Sequence, residues 1–126
     1  MTNQELKELK ALVERFVVFA LAELEIPLRG HKIAHHKSPS TDDSQNWKEF
    51  WQENQPNRKF YYKGKVCPSC LLKKKENEFV GGHVIIEGQT YIVPVCDKCN
   101  KEYKGEKSTQ HFFYVSERDM VRAPDD

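Results

Sequence analysis

Two pairs of cysteines, Cys67-Pro68-Ser69-Cys70 and Cys96-Asp97-Lys98-Cys99, are separated by twenty-five residues and account for every cysteine in the chain. A C-x2-C pair lets one tight turn aim two sulfurs at the same point, and two such turns assemble the tetrahedral sulfur set that Zn²⁺ accepts. The expectation is a structural zinc site with Cys67, Cys70, Cys96 and Cys99 as ligands. Four thiolates close the coordination shell, so an ion held this way braces the fold and offers no open position to a substrate. An iron site of the rubredoxin or iron–sulfur kind uses the same ligands and stays open at this point. A thioredoxin-like redox motif accounts for one pair and not for two. Disulfides suit an oxidising compartment, and nothing at the N-terminus resembles a secretory signal, so the expected setting is reducing and cytoplasmic.

The remaining candidates for chemistry are a run of cations and a set of histidines. Arg58, Lys59, Lys63, Lys65, Lys73, Lys74 and Lys75 occur with no acidic residue among them, and Phe60, Tyr61 and Tyr62 are interleaved. Cations meet phosphates and rings stack on bases, which makes this stretch the candidate nucleic-acid contact, to DNA or RNA. The competing explanation is local, because a zinc centre with four thiolates carries a charge of about −2 that neighbouring lysines offset. His31, His35 and His36 crowd together without a nearby thiol or carboxylate, a pattern that fits solvated side chains better than a second metal site.

These residues have to be positioned by a short chain. At 126 residues it makes one domain, with a modest core that a metal staple would supplement. Charged residues make up 31% and mean hydropathy is −0.76, and no apolar run approaches the ~20 residues of a membrane span. Thr2 to about Glu25 reads as a helix, with Thr2 and Glu5 placed as a capping box and Pro27 as the stop. Its apolar stripe, Leu6, Leu9, Val13, Phe16, Val17, Ala20 and Leu24, is broadened by Leu12, Phe19 and Leu21. That face is expected to pack on the rest of the domain, or in part to form a homodimer or partner surface. Leu28 to Asp43 reads as a polar connector. A short helix capped by Asp43 or Ser44 follows, carrying Trp47, Phe50 and Trp51 on one face as an anchor.

Lys59 to Val66 is expected as a strand leading into the first cysteine turn. Phe79 to Ile86 and Tyr91 to Val95 read as a hairpin turning at Gly88, with Gly81 and Gly82 permitting a bulge or close backbone approach. Cys96 to about Tyr103 reads as a short helix stopped at Lys104-Gly105, followed by strands at His111 to Val115 and Met120 to Ala123. The expected fold is therefore α+β in a single domain. Residues 1–54 form a helical part, and 58–123 form a zinc-binding part whose knuckle, hairpin and helix follow treble-clef order.

Within that part, Cys67-x-x-Cys70, Gly82-His83-Val84-Ile85 and Tyr91-Ile92-Val93-Pro94-Val95-Cys96-x-x-Cys99-Asn100 resemble the zinc-supported branch of the HNH, or His-Me finger, nucleases. The resemblance runs from Cys67 to Asn100 and leaves out the N-terminal half. It implies His83 as the general base and Asn100 at the helix position that helps hold a catalytic Mg²⁺ or Mn²⁺. The family's middle asparagine falls on Tyr91 here, and Gly82 stands where active members often carry a further metal ligand. A lone amide is a poor site for a hard cation, and without the metal clamp a base lacks the charge stabilisation that phosphodiester cleavage needs. His111 is not assigned to that site, because its spacing is unlike the family's.

Three functions are compatible with these residues. The favoured one is a zinc-stapled, catalytically inactive HNH-like module that binds nucleic acid, a protein partner or both. The others are a metal-dependent HNH-type endonuclease acting through His83, and a dimerising adaptor in which zinc is purely architectural.

Overall fold

A computed structural model describes residues 2–37, 46–55 and 66–124. The expected strand from Lys59 and the cations Arg58, Lys59, Lys63 and Lys65 lie outside the described residues. The fold is α+β: an N-terminal helix and a five-stranded antiparallel sheet, with shorter helices packed around it.

Helix α1 (Asn3–Glu23) starts as its capping residues dictate, with the Thr2 side chain accepting a hydrogen bond from the Glu5 N–H at 3.1 Å. It touches the body along one edge, near its C-terminal end. Ala22 is buried, Phe19 meets His111 edge to face at 5.7 Å, and Glu23 Oε1 accepts from the Phe112 N–H. The expectation that the broad apolar face packs on the domain fails. Leu6, Leu9, Leu12, Val13, Phe16, Val17 and Leu24 are between 46% and 74% exposed.

The polar connector expected after α1 is instead strand β1 (His31–His36). Four of its six residues are lysine or histidine and they fall on both faces, so no alternation shows in the sequence, and tertiary pairing decides the matter. β1 lies between β2 (Phe79–Ile86) and β4 (Phe112–Ser116), and with β3 (Gln89–Cys96) and β5 (Val121–Arg122) the order is β4-β1-β2-β3-β5. Helix α2 (Trp47–Asn54) is capped by Asn46, whose side chain accepts from the Glu49 N–H, and not by Asp43 or Ser44. Trp51 is buried and its indole N–H donates to the Asp119 carbonyl at 2.7 Å, the anchor role expected of this helix.

The hairpin of β2 and β3 (Gln89–Cys96) is paired in full, from Phe79 opposite Cys96 to Ile86 opposite Gln89. Its two-residue turn places Glu87 at φ 51 and Gly88 at φ 78, a primed turn whose twist suits the strands. Helix α3 (Asp97–Glu102) follows directly, and β5 (Val121–Arg122) adds to β3. Register places Ala34, Val84, Ile86, Val93, Val95, Phe113 and Val115 on one face, all buried. Edge strands β4 and β5 are joined through only Glu117 to Met120, and flat edges four strand spacings apart would be about 19 Å from each other. So short a link spans them only if the sheet rolls.

Close approach, and not a bulge, explains the paired glycines. A β-carbon on Gly81 would run into the backbone of Trp47, and one on Gly82 into Val95 Cγ2. Gly81→Ala is therefore expected to destabilise the fold by about 1–3 kcal/mol through overpacking against backbone that has little room to give. Gly30→Ala, where a β-carbon meets nothing within 4 Å, should cost about 1 kcal/mol through its positive φ alone. Urea midpoints of the two variants check the difference.

Candidate metal centre

The first cysteine pair is set by a tight turn. The Leu71 N–H donates to the Cys67 carbonyl at 2.7 Å, the Cys67 N–H donates to the Leu72 carbonyl at 3.0 Å, and Leu71 takes φ 60 to close the loop. Val66 then bridges to Lys73, so the chain leaves antiparallel to its entry. The second pair joins the end of β3 to α3, with Cys96 as the helix cap, its sulfur accepting from the Cys99 N–H at 3.4 Å. One further bond ties the turns together, from the Cys96 N–H to Cys67 Sγ at 3.3 Å.

The result is one cluster, with the four ligand sulfurs all within 4.8 Å of one another and Cys70 and Cys96 Sγ 4.0 Å apart. A tetrahedron of bonds of about 2.3 Å places sulfurs about 3.8 Å apart, so a slight contraction would seat a metal ion such as Zn²⁺. Cys67, Cys96 and Cys99 are buried and Cys70 is partly so. Left to themselves, sulfurs this close cannot all ionise. Hydrogen bonds from Cys67 and Cys99 hold the Cys70 thiol down to about 2, while the proton donated to Cys70 pushes Cys67 up to about 12 and the bonds to Cys67 and Cys70 push Cys99 up. A divalent cation removes that competition by accepting all four as thiolates. Among the described residues no other group of three or more histidines, cysteines or carboxylates could hold an ion.

Behind the first turn lies a layer that sequence reasoning missed. Ser69, between the two ligands of that turn, is held from two sides. His36 Nε2 and Ser69 Oγ share a hydrogen bond of 2.8 Å, and His111 Nε2 donates to the Ser69 carbonyl at 2.7 Å. Both rings stack on Tyr103, the residue that ends α3, with centroids at 5.0 Å for His36 and 4.6 Å for His111. The two histidines thus brace both cysteine turns at once, through a serine in one and a tyrosine beyond the other. His36 is 2% exposed, and its Nδ1 has no hydrogen-bond partner among the described residues. Its clustering with His31 and His35 in sequence hid this, since alternation sends His35 and His36 to opposite faces of β1.

The two residues that the nuclease resemblance singled out are not brought together. Asn100 Oδ1 lies close against Gly82, at 3.2 Å from where a β-carbon would stand, so α3 covers the face of β2 to which residue 82 points. His83, the next residue, points to the other face, where it is buried and meets the Trp47 ring at 4.6 Å, edge to face. Of the described cations, Lys73 and Lys75 are exposed and Lys74 lies 3.9 Å from Glu78. Lys74 and Lys98 line one open cleft beside Cys96, together with Asn77, Glu78 and Asp97.

No family model, curated protein or solved structure matches the chain. The geometry of its own residues is therefore what bears on function. No helix among the described residues is long and apolar enough to cross a membrane.

Elemental analysis of the purified protein is expected to give about one metal ion per chain, and Cys67→Ser or Cys96→Ser to lose it and unfold the cysteine half. Structural Zn²⁺ contributes on the order of 10 kcal/mol to domains this small, and circular dichroism with and without a strong chelator checks the loss.

Burial, followed by the nearness of His111 and His35, pushes the His36 imidazole down to about 4. Above pH 6.5 the ring is neutral whether the chain is folded or unfolded, so it adds no pH dependence there. Below that, the unfolded chain takes up a proton that the folded one refuses. Stability should therefore fall between pH 6.5 and about 4, by about 1.4 kcal/mol per unit from this group. Denaturation midpoints across that range are expected to fall less steeply in His36→Gln, which has nothing to protonate.

Proposed function

We propose that this protein is a zinc-stapled binding module of treble-clef type, working in a reducing compartment, that contacts the phosphate backbone of a nucleic acid and does not cleave it. The observation that carries this reading is the separation of His83 from Asn100 across the sheet, beside a cysteine cluster whose coordination shell is closed. Phosphodiester hydrolysis needs a base, a water and a cationic clamp converging on one phosphate. Here the histidine that would be the base is packed against a tryptophan, while the amide that would help hold the clamp lies behind the strand.

Binding asks for less. It needs cations projecting from a frame rigid enough to keep their spacing, and that frame is what a four-cysteine metal site supplies. Lys73, Lys74 and Lys75 leave the first cysteine turn in succession, and Lys98 stands across the cleft on α3. Part of that charge offsets the centre's own charge of about −2. The remainder, with the cations from Arg58 to Lys65 in the adjoining sequence, is available to phosphates.

Fluorescence anisotropy with single- and double-stranded DNA and RNA tests the reading. Affinity is expected to fall steeply with salt, the logarithm of the binding constant dropping by about 0.9 per duplex phosphate neutralised for each unit of log salt. Lys73→Glu with Lys75→Glu should weaken binding by about tenfold or more, while leaving the metal content unchanged. Mg²⁺ or Mn²⁺ should produce no nicking of supercoiled DNA. Cleavage that His83→Ala abolishes would overturn the proposal in favour of a nuclease, and binding indifferent to salt would remove its nucleic-acid half.

A further inference from the structure

The exposed stripe of α1 is the largest feature that the metal centre and its lysines leave unexplained. Leu6, Leu9, Val13, Phe16 and Ala20 recur at alternating steps of three and four, the a and d spacing of a two-helix seam, and Leu12, Val17 and Leu24 flank them. The residues that meet the body, Phe19, Ala22 and Glu23, belong to the last turns of the helix and lie on one flank of that seam, about 60° to 160° around from it at 3.6 residues per turn. One flank of the C-terminal turns is thus committed to the fold, while the seam itself and the N-terminal turns stay open, with Phe16 at 74%, Leu6 at 56%, Leu12 at 55% and Val13 at 53% exposure. Monomeric soluble proteins rarely leave so continuous an apolar surface to water.

We infer that this face pairs in parallel with α1 of a second copy of the same chain. Charge selects the partner and the direction. In the register set by Leu6 as a and Leu9 as d, Glu5 occupies a g position and Lys10 the following e position. These are the two positions that meet between parallel helices, so a symmetric pair forms two Glu5 to Lys10 ion pairs, one on each flank. The next g and e residues, Leu12 and Val17, are both apolar and extend the seam on the same flank. An antiparallel pairing sets g against g and e against e, which brings Lys10 to face lysine or valine and leaves the complementarity unused.

Geometry and area agree with this occupant. The body meets one flank of α1, and the two-fold axis of a parallel pair sends the two bodies to opposite sides of the seam. The stripe from Leu6 to Val17 supplies six large apolar side chains per copy, a core of the size that an interface of about 800 Å² per partner is built around. A two-fold arrangement also lets one surface patch satisfy itself, so no further partner is needed to cover it.

Sedimentation equilibrium on the full chain across roughly 1 to 200 µM tests the inference. The expected result is reversible association to twice the chain mass of 14.8 kDa. Phe16→Glu with Val13→Glu should give a monomer with unchanged metal content, since neither side chain contributes to the core. Lys10→Glu alone sets Glu5 against a second carboxylate and should weaken the dimer about tenfold, and adding Glu5→Lys should restore most of that loss, although it removes the helix cap. A monomer at every concentration would overturn the inference and leave the stripe to a different protein. A dimer that the charge reversal neither weakens nor restores would overturn the parallel pairing, and one that survives Phe16→Glu with Val13→Glu would place the interface elsewhere.

Discussion

Four sulfurs brought within a few ångströms of each other set the terms for this fold. Protonated, they are poor company, and ionised together they repel, so a cation is what turns the cluster from a cost into a brace. The cysteine turns sit at the points where the chain would otherwise be least constrained. One is the reversal from Val66 to Lys73, and the other is the corner between β3 and α3. The N–H of Cys96 already reaches Cys67 Sγ, so the polypeptide lays out a site that an ion would close.

Around that constraint the molecule is layered. The sheet buries Val84, Val93, Val95, Val115 and Phe113 on one face, α2 anchors Trp51 and covers Gly81 and His83 on the other, and α3 closes over Gly82. Strand alternation then decides what kind of site this can be. Adjacent residues Gly82 and His83 look in opposite directions, and the one that faces α3 carries no side chain. A change of function on such a frame would have to begin at residue 82, where a side chain has no room because Val95 and Asn100 already fill the space.

Sequence disclosed the parts of the structure governed by local rules. The four-cysteine cluster, the Thr2 cap, the β2–β3 hairpin and the short helix after Cys96 all follow from spacing, capping or turn chemistry. What it hid depended on distant pairing. β1 reads as a connector because a lysine and three histidines make up four of its six residues, yet it fills an interior place in the sheet with Ala34 and His36 buried. His111 and His36 are seventy-five residues apart in sequence, and no local pattern announces that both hold Ser69. The stripe on α1 was visible, but its destination was not, because amphipathicity states that a face must be covered without saying by what.

The place of β1 bears on how the chain assembles as it is made. Its two neighbours are β2, ending at Ile86, and β4, ending at Ser116, so a strand synthesised early waits about fifty residues for its first hydrogen-bonding edge and about eighty for its second. Contacts that span so much sequence form slowly, since the loop must close before the pairing rewards it. The cysteine half, by contrast, is contiguous from Val66 to Tyr103 and can take up its ion first. The natural order of events is then a nucleus in the later part of the chain onto which the earlier part threads back.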